Sequence, residues 1–159
     1  MTLGITLRMA MALLAALNSM VALYLHLWKI GLMGALTCGA DHGCEIAQFS
    51  SYGYFLGIDV ALIGTLGYAA VVAVAVAGMQ ERWADARWPT RALQVMIWPA
   101  VLFTLRLKYG EFVVLKTFCP WCAISAVSIT ILAIVVTIDG RRVTRLAPFP
   151  VARSESPDR

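Results

Sequence analysis

Runs of about 20 residues without a single Lys, Arg, Asp or Glu dominate this chain, and such runs restrict the solvent it can fold in. Met9 to Trp28 is the first, bounded by Arg8 and Lys29, and Val60 to Met79 is the second. Another, rich in Ile, Val and Ala, extends from Thr117 to Ile138 between Lys116 and Asp139. Each has the length a helix needs to cross about 30 Å of hydrocarbon, where backbone groups must be paired internally. The composition agrees, being 60% hydrophobic and only 14% charged. The mean hydropathy is +0.78. These features predict an all-α membrane protein and exclude a soluble globular domain.

Between Arg91 and Arg106 the uncharged run is shorter, so a span there needs its basic ends to snorkel to the headgroups. Pro99 lies inside it, which predicts a kink. The expected architecture is a four-transmembrane-helix bundle over residues 1–139, with 140–159 as a basic, disordered cytoplasmic tail containing Pro148, Pro150 and Pro157. No internal repeat or second domain is visible. Gly64, Gly67, Ala69 and Ala70 offer small surfaces for close helix packing.

Four spans put both termini on one side. That side collects Arg8, Arg82, Arg87 and Arg91 together with Arg141, Arg142, Arg145, Arg153 and Arg159, nine of the 13 Lys and Arg, which marks it as cytoplasmic. The net charge of +4 is accounted for by this asymmetry and calls for no nucleic acid. Arg8 followed by an Ala/Leu-rich stretch has the look of a signal peptide. The apolar run is too long for one, and the stretch is expected to stay as a span.

This topology places two cysteine pairs beyond the same, extracytoplasmic membrane surface. The first lies in Cys38-Gly-Ala-Asp-His-Gly-Cys44, within the longest external loop, Thr37 to Asp59. Ile46, Phe49 and Leu56 follow at near-helical spacing, with Tyr52, Tyr54 and Phe55 beside them, which predicts a short interfacial helix. Its aromatic residues suit either anchoring at the headgroups or covering a ligand pocket. The second pair is Cys119-Pro-Trp-Cys122, at the start of the last span. Free N–H groups and the dipole at a helix N-terminus favour a thiolate, and proline is tolerated in the first turn.

Cys122 should lie about 4.5 Å deeper than Cys119. Cys119 is therefore expected to exchange with a loop cysteine, and Cys122 to face a lipid-soluble electron acceptor, for which a quinone is the candidate. Other readings stay open. Four sulfurs suit structural zinc, although the Cys38 to Cys44 gap is wide for it. Two static disulfides suit an oxidising compartment, although a bridge from Cys119 to Cys122 closes almost no loop. Buried inert thiols are common in apolar helices. His42 is either a base for a loop thiol or a solvated side chain. Asn18 and Ser19, polar within a span, either bond another helix or contact a ligand.

At these residues the chain resembles the vitamin K epoxide reductase family, particularly its bacterial quinone-linked members. The resemblance covers Asn18 to about Ser128: Tyr24-Leu25, Cys38 and Cys44, Ser50 six residues later, Gly57-Ile58, Gly64 and Tyr68, and Phe118-Cys-Pro-Trp-Cys122. It implies a four-helix bundle around a quinone, ubiquinone or menaquinone, in a bacterial inner membrane. It also implies electrons passing from a thioredoxin-like partner through Cys38, Cys44, Cys119 and Cys122, with no metal. No second domain is visible in this chain, so the partner is expected to be a separate extracytoplasmic protein. By the same resemblance Ser50 is a hydrogen-bond donor to the quinone, the alternative being a helix cap. Phe49 and Leu56 are expected beside that pocket. Val60 and Ala126 stand where animal members carry the Asn and Tyr that contact vitamin K, so the resemblance does not carry epoxide reduction over to this chain. Asp59 replaces a proline common in the family. The rival reading is a noncatalytic membrane assembly or transport component braced by disulfides.

Overall fold

The computed structural model describes residues 2–36, 38, 42–83 and 86–146. Four long helices form a bundle: α1 (Thr2–Lys29), α3 (Val60–Ala77), α4 (Arg87–Tyr109) and α5 (Pro120–Leu146). A short helix, α2 (Gly43–Phe49), and a two-stranded hairpin of β1 (Tyr54–Phe55) and β2 (Ile58–Asp59) lie between α1 and α3. α1 packs mainly along α3 and also touches α5, while α4 packs on α5 and α3.

The core is a single seam in which Ala12, Ala15, Ala75 and Ala133 let the helices approach, and Met11, Leu93, Ile97, Leu132 and Val136 fill the space. What distinguishes this bundle from a soluble one is its outside. Leu66 is 64% exposed, Leu102 67% and Val95 72%. The helices thus present large apolar side chains outward as well as inward. α1, α3 and α5 are long and apolar enough to cross a membrane. α4 has 23 residues, but Arg87, Arg91, Arg106 and Lys108 near its ends dilute its hydropathy. Pro99 sits inside it without interrupting the helix, and lines a cavity described below.

Two differences from the sequence expectation stand out. Residues 140–146, expected as disordered tail, are helical because α5 continues to Leu146. The reason is Asp139, fully buried, which receives hydrogen bonds from Thr90 Oγ1 (2.6 Å), Arg8 Nε (3.4 Å) and Arg142 Nε (3.2 Å). The rest of that tail, 147–159, lies outside the described residues. Gly64 and Gly67, expected to pack helices tightly, both line the cavity, but Gly64 also faces α1, where a Cβ would lie 3.6 Å from Ala22 Cβ. A Cβ on Gly67 would meet nothing within 4 Å.

Asp59 ties the far end of α1 to the start of α3. It accepts from the Ala61 N–H at 3.1 Å, and it bonds Lys29 Nζ at 2.8 Å and His26 Nδ1 at 2.6 Å. The first of these contacts caps α3. Burial alone would push the pKa of Asp59 up, but the hydrogen bonds from Lys29 and His26 and the Ala61 N–H hold the carboxyl below its usual 3.8.

Candidate redox site

α5 begins at Pro120, which places Cys119 at the cap position. Cys119 Sγ accepts a hydrogen bond from the Cys122 N–H at 3.3 Å, and the Cys119 carbonyl accepts from the Ala123 N–H at 3.0 Å. The sulfur therefore does the work a serine oxygen does at ordinary helix starts. The Cys119 N–H is held in turn by Glu111 Oε1 at 2.6 Å, and Glu111 Oε2 bonds Lys108 Nζ at 2.6 Å. Glu111 reaches inward because the last turn of α4 widens into a π turn, Gly110–Val114.

Cys119 is fully buried, and its sulfur is held below the usual thiol range. The Cys122 side chain hydrogen-bonds to it, and this outweighs burial, with the Cys122 N–H adding to the effect. The Glu111 charge opposes it and Lys108 assists it. Cys119 and Cys122 are both free thiols. Cys38 and Cys44 are joined in a disulfide, with their Cα atoms 5.6 Å apart. Cys44 is fully buried, whereas Cys38 is half-buried.

The two pairs meet through α2. Gly43, next to Cys44, lies so close to the segment before Cys119 that a Cβ there would collide with the Phe118 carbonyl oxygen. Only glycine permits this seat. Tyr52 closes the other side, its ring lying where a side chain on Gly110 would have to go. Trp28 packs on Phe49 with ring centroids 5.7 Å apart, pinning the end of α2 to α1.

Beneath α2 lies a cavity of about 470 Å³, bounded by α1, α3, α4 and the start of α5. Its wall is mostly apolar, and Cys122, Trp121 and Gln48 line it. Gln48 is buried, with its amide nitrogen 3.7 Å from Cys122 Sγ. Among the residues expected from sequence to contact a ligand, Val60 lines this cavity. The other four lie outside the lining. Ser50 accepts from the Tyr52 N–H at 3.2 Å and donates to the Ala47 carbonyl at 2.8 Å. Both bonds are local, as in an ordinary cap. Phe49 rests on Trp28, and Leu56 is 87% exposed at the hairpin turn with φ +53°. Ala126 sits one turn along α5 from Cys122, its carbonyl accepting from Thr130 Oγ1 at 2.8 Å.

Sequence reasoning missed Gln48 and Glu111 as members of the site. The signal for Glu111 was an acid three residues after Lys108 and eight before Cys119, among apolar neighbours. Gln48 carried no comparable signal beyond being a polar residue in an otherwise apolar stretch.

The model of the vitamin K epoxide reductase family matches residues 9–137, a segment that contains both cysteine pairs, α2 and the whole cavity wall. Two cysteine pairs brought together at one end of a lipid-facing bundle, one joined and one free, are the parts of a thiol exchange centre, and the chain belongs to the vitamin K epoxide reductase family of membrane thiol oxidoreductases.

Proposed function

We propose that this chain passes electron pairs from the dithiol of a separate extracytoplasmic thioredoxin-like protein to a membrane quinone, and so sustains disulfide formation in exported proteins. The observation that carries the reading is the position of Cys122, a free thiol in the wall of an apolar cavity, next to a buried partner sulfur at a helix start. The cavity fits a quinone ring. Its volume falls within the range of small-molecule sites, and its wall is apolar with a few placed polar groups. When bound, a quinone supplies a sink for two electrons and two protons and leaves as hydroquinone.

The chain's own residues divide the exchange by exposure. Half-buried Cys38 is the sulfur an incoming partner thiolate attacks, and the displaced Cys44 thiolate is the one packed toward the Cys119 segment. A second partner thiol then resolves the mixed disulfide, which leaves the loop as a dithiol and the partner oxidised. The loop dithiol reduces a Cys119–Cys122 disulfide in two exchanges: Cys44 attacks Cys119 and Cys122 leaves, then Cys38 attacks Cys44 and Cys119 leaves, so that the loop is cystine again and the inner pair a dithiol. The inner dithiol gives its two electrons and two protons to the acceptor. Joined outer cysteines beside free inner ones correspond to the point in this cycle just before that last step.

α4 serves as the fourth span in this reading: at about 1.5 Å per residue its length suffices, and its ends carry the snorkelling side chains. The basic side is cytoplasmic with both termini, and the cysteines face outward, in a bacterial inner membrane. Val60 contacts the quinone directly. Ser50, Phe49 and Leu56 act on it through the segment that carries Gln48 and Tyr52 over the cavity, and Ala126 leaves room below Cys122.

Two measurements test this. Cys122→Ser is expected to abolish quinone reduction while the loop pair still exchanges with the partner; unchanged quinone turnover would sink the route. In Cys44→Ala offered the oxidised partner, the Cys38 thiolate attacks the partner's disulfide, and with no Cys44 to complete the exchange the mixed disulfide should accumulate. A noncatalytic protein braced by disulfides yields no such adduct.

A further inference from the structure

The polar groups of the cavity fall into two sets at different depths. Gln48, Lys108 and Glu111 lie with Cys122 at the sulfur end, while Asn18, Tyr68 and Ser125 lie deeper between the helices. Ser125 is one turn inward from Cys122, about 4.5 Å along α5. Its hydroxyl pairs with the Tyr68 hydroxyl at 2.9 Å. Asn18 stands at the same level of the bundle, because the neighbouring Ser19 hydroxyl donates to the Thr65 carbonyl, one turn before Tyr68 on α3 (3.1 Å).

Asn18 is only 3% exposed. Its Nδ2 donates to the Leu14 carbonyl at 2.9 Å, and its Oδ1, also buried, has no hydrogen-bond partner among the described residues. Turning the amide over does not relieve this, because Oδ1 would then face the Leu14 carbonyl, acceptor against acceptor. A buried acceptor left unpaired is a standing penalty on the fold and calls for an explanation. Here the unpaired side chain lines a cavity already assigned to the electron acceptor.

What would satisfy it is a donor, and this selects between the two forms of the acceptor. A quinone presents carbonyl oxygens, which accept only. Its two-electron product presents hydroxyls, which donate. We propose that Asn18 Oδ1 is a hydroxyl-reading subsite that accepts a hydrogen bond from the reduced, hydroquinone form, opposite the Tyr68–Ser125 hydroxyl pair. Binding the reduced form more tightly than the oxidised one shifts the bound equilibrium toward reduction, so the subsite draws electrons from Cys122 into the cavity. The inference rests on the quinone reading given above.

Both readings are tested on the full chain carrying Cys122→Ala, in which no electrons move, by quenching of the tryptophan emission, to which Trp121 in the cavity wall contributes. The titrants are a short-chain quinone, its hydroquinone, and the hydroquinone dimethyl ether, which has the same shape without O–H donors. The protein with Asn18 should bind hydroquinone more tightly than the ether. Asn18→Leu should weaken hydroquinone about 5- to 10-fold, leave quinone and ether unchanged, and not lower the melting temperature, since an orphaned acceptor has been removed. Asn18→Ala serves the same comparison if the leucine variant fails to fold. Unaltered hydroquinone affinity overturns the subsite, as does an equal loss for all three titrants, which would mark Asn18 as structural. If neither quinone nor hydroquinone binds even with Asn18 in place, the acceptor reading itself falls, a result distinct from either of these.

Discussion

The two ends of the bundle are closed by opposite means. At one end the beginning of α1, the end of α3, the start of α4 and the last turns of α5 converge on Arg8, 1% exposed. Its guanidinium donates to Asp139, Thr90 Oγ1 and the carbonyls of Gly78 and Trp83. Four of its five N–H donors are used locally, and the charge is met by a carboxylate with no exposed surface. At the other end the closure is a seven-residue helix, a hairpin and a disulfide loop laid over a cavity. The charged tie at the first end sits at its centre, whereas at the sulfur end the charged tie of Lys29 to Asp59 and the Gly53 carbonyl lies beside the cavity and the remaining cover is short segments and one reducible bond. The difference teaches that the bundle's fixed frame and its sulfur chemistry occupy separate ends.

The largest stability effect should come from breaking the lock. Asp139→Ala strands a buried guanidinium and should cost about 3–5 kcal/mol in reversible unfolding, yet leave thiol exchange per folded molecule unchanged. If Asp139→Ala altered exchange as strongly as stability, the two ends would not be separable. Asp59→Ala removes the cap of α3 and the partner of Lys29 at the sulfur end. Its cost near neutral pH should be about 2 kcal/mol. The sign of its pH dependence follows from the lowered folded pKa. The contribution is complete above the ordinary value of 3.8 and is lost as pH falls through the folded value. Melting curves of wild type and variant should therefore converge in acid and stay apart at neutral pH.

Glu111→Gln makes the finest distinction. It retains an acceptor for the Cys119 N–H but removes the charge that opposes the thiolate, so the midpoint of Cys119 alkylation by a small reagent should move to lower pH. Peptide mapping by mass spectrometry would read it. A midpoint moving upward would mean that Glu111 acts on the sulfur chiefly through the amide it holds.

Much of this was legible in the chain before any coordinates. Uncharged runs announce helices in lipid because hydrocarbon tolerates so few alternatives, and the Cys119-Pro-Trp-Cys122 motif declares a helix start through proline's missing N–H. The extension of α5 was not legible. Asp139, Arg141, Arg142 and Arg145 read locally as a solvated tail, and only the partnership of Arg8 with Asp139, 131 residues apart, turns Asp139 inward and draws Arg142 after it, while Arg141 and Arg145 stay exposed. Gln48 and Glu111 escaped for a related reason: a single polar residue carries no periodicity, and its role is set by which helix end bends toward it. Ser50 shows the converse. A resemblance pointed to a ligand contact, while the nearest acceptor and donor were its own neighbours in the chain.

Besides the role proposed for it, Cys119 has a structural one, since its sulfur caps the start of α5 by receiving the Cys122 amide. A thiolate is a stronger acceptor than a disulfide sulfur, so the helix start and the thiol chemistry draw on the same lone pairs. Replacing this cysteine by alanine therefore removes a cap as well as a thiol, whereas serine keeps an acceptor at the same place.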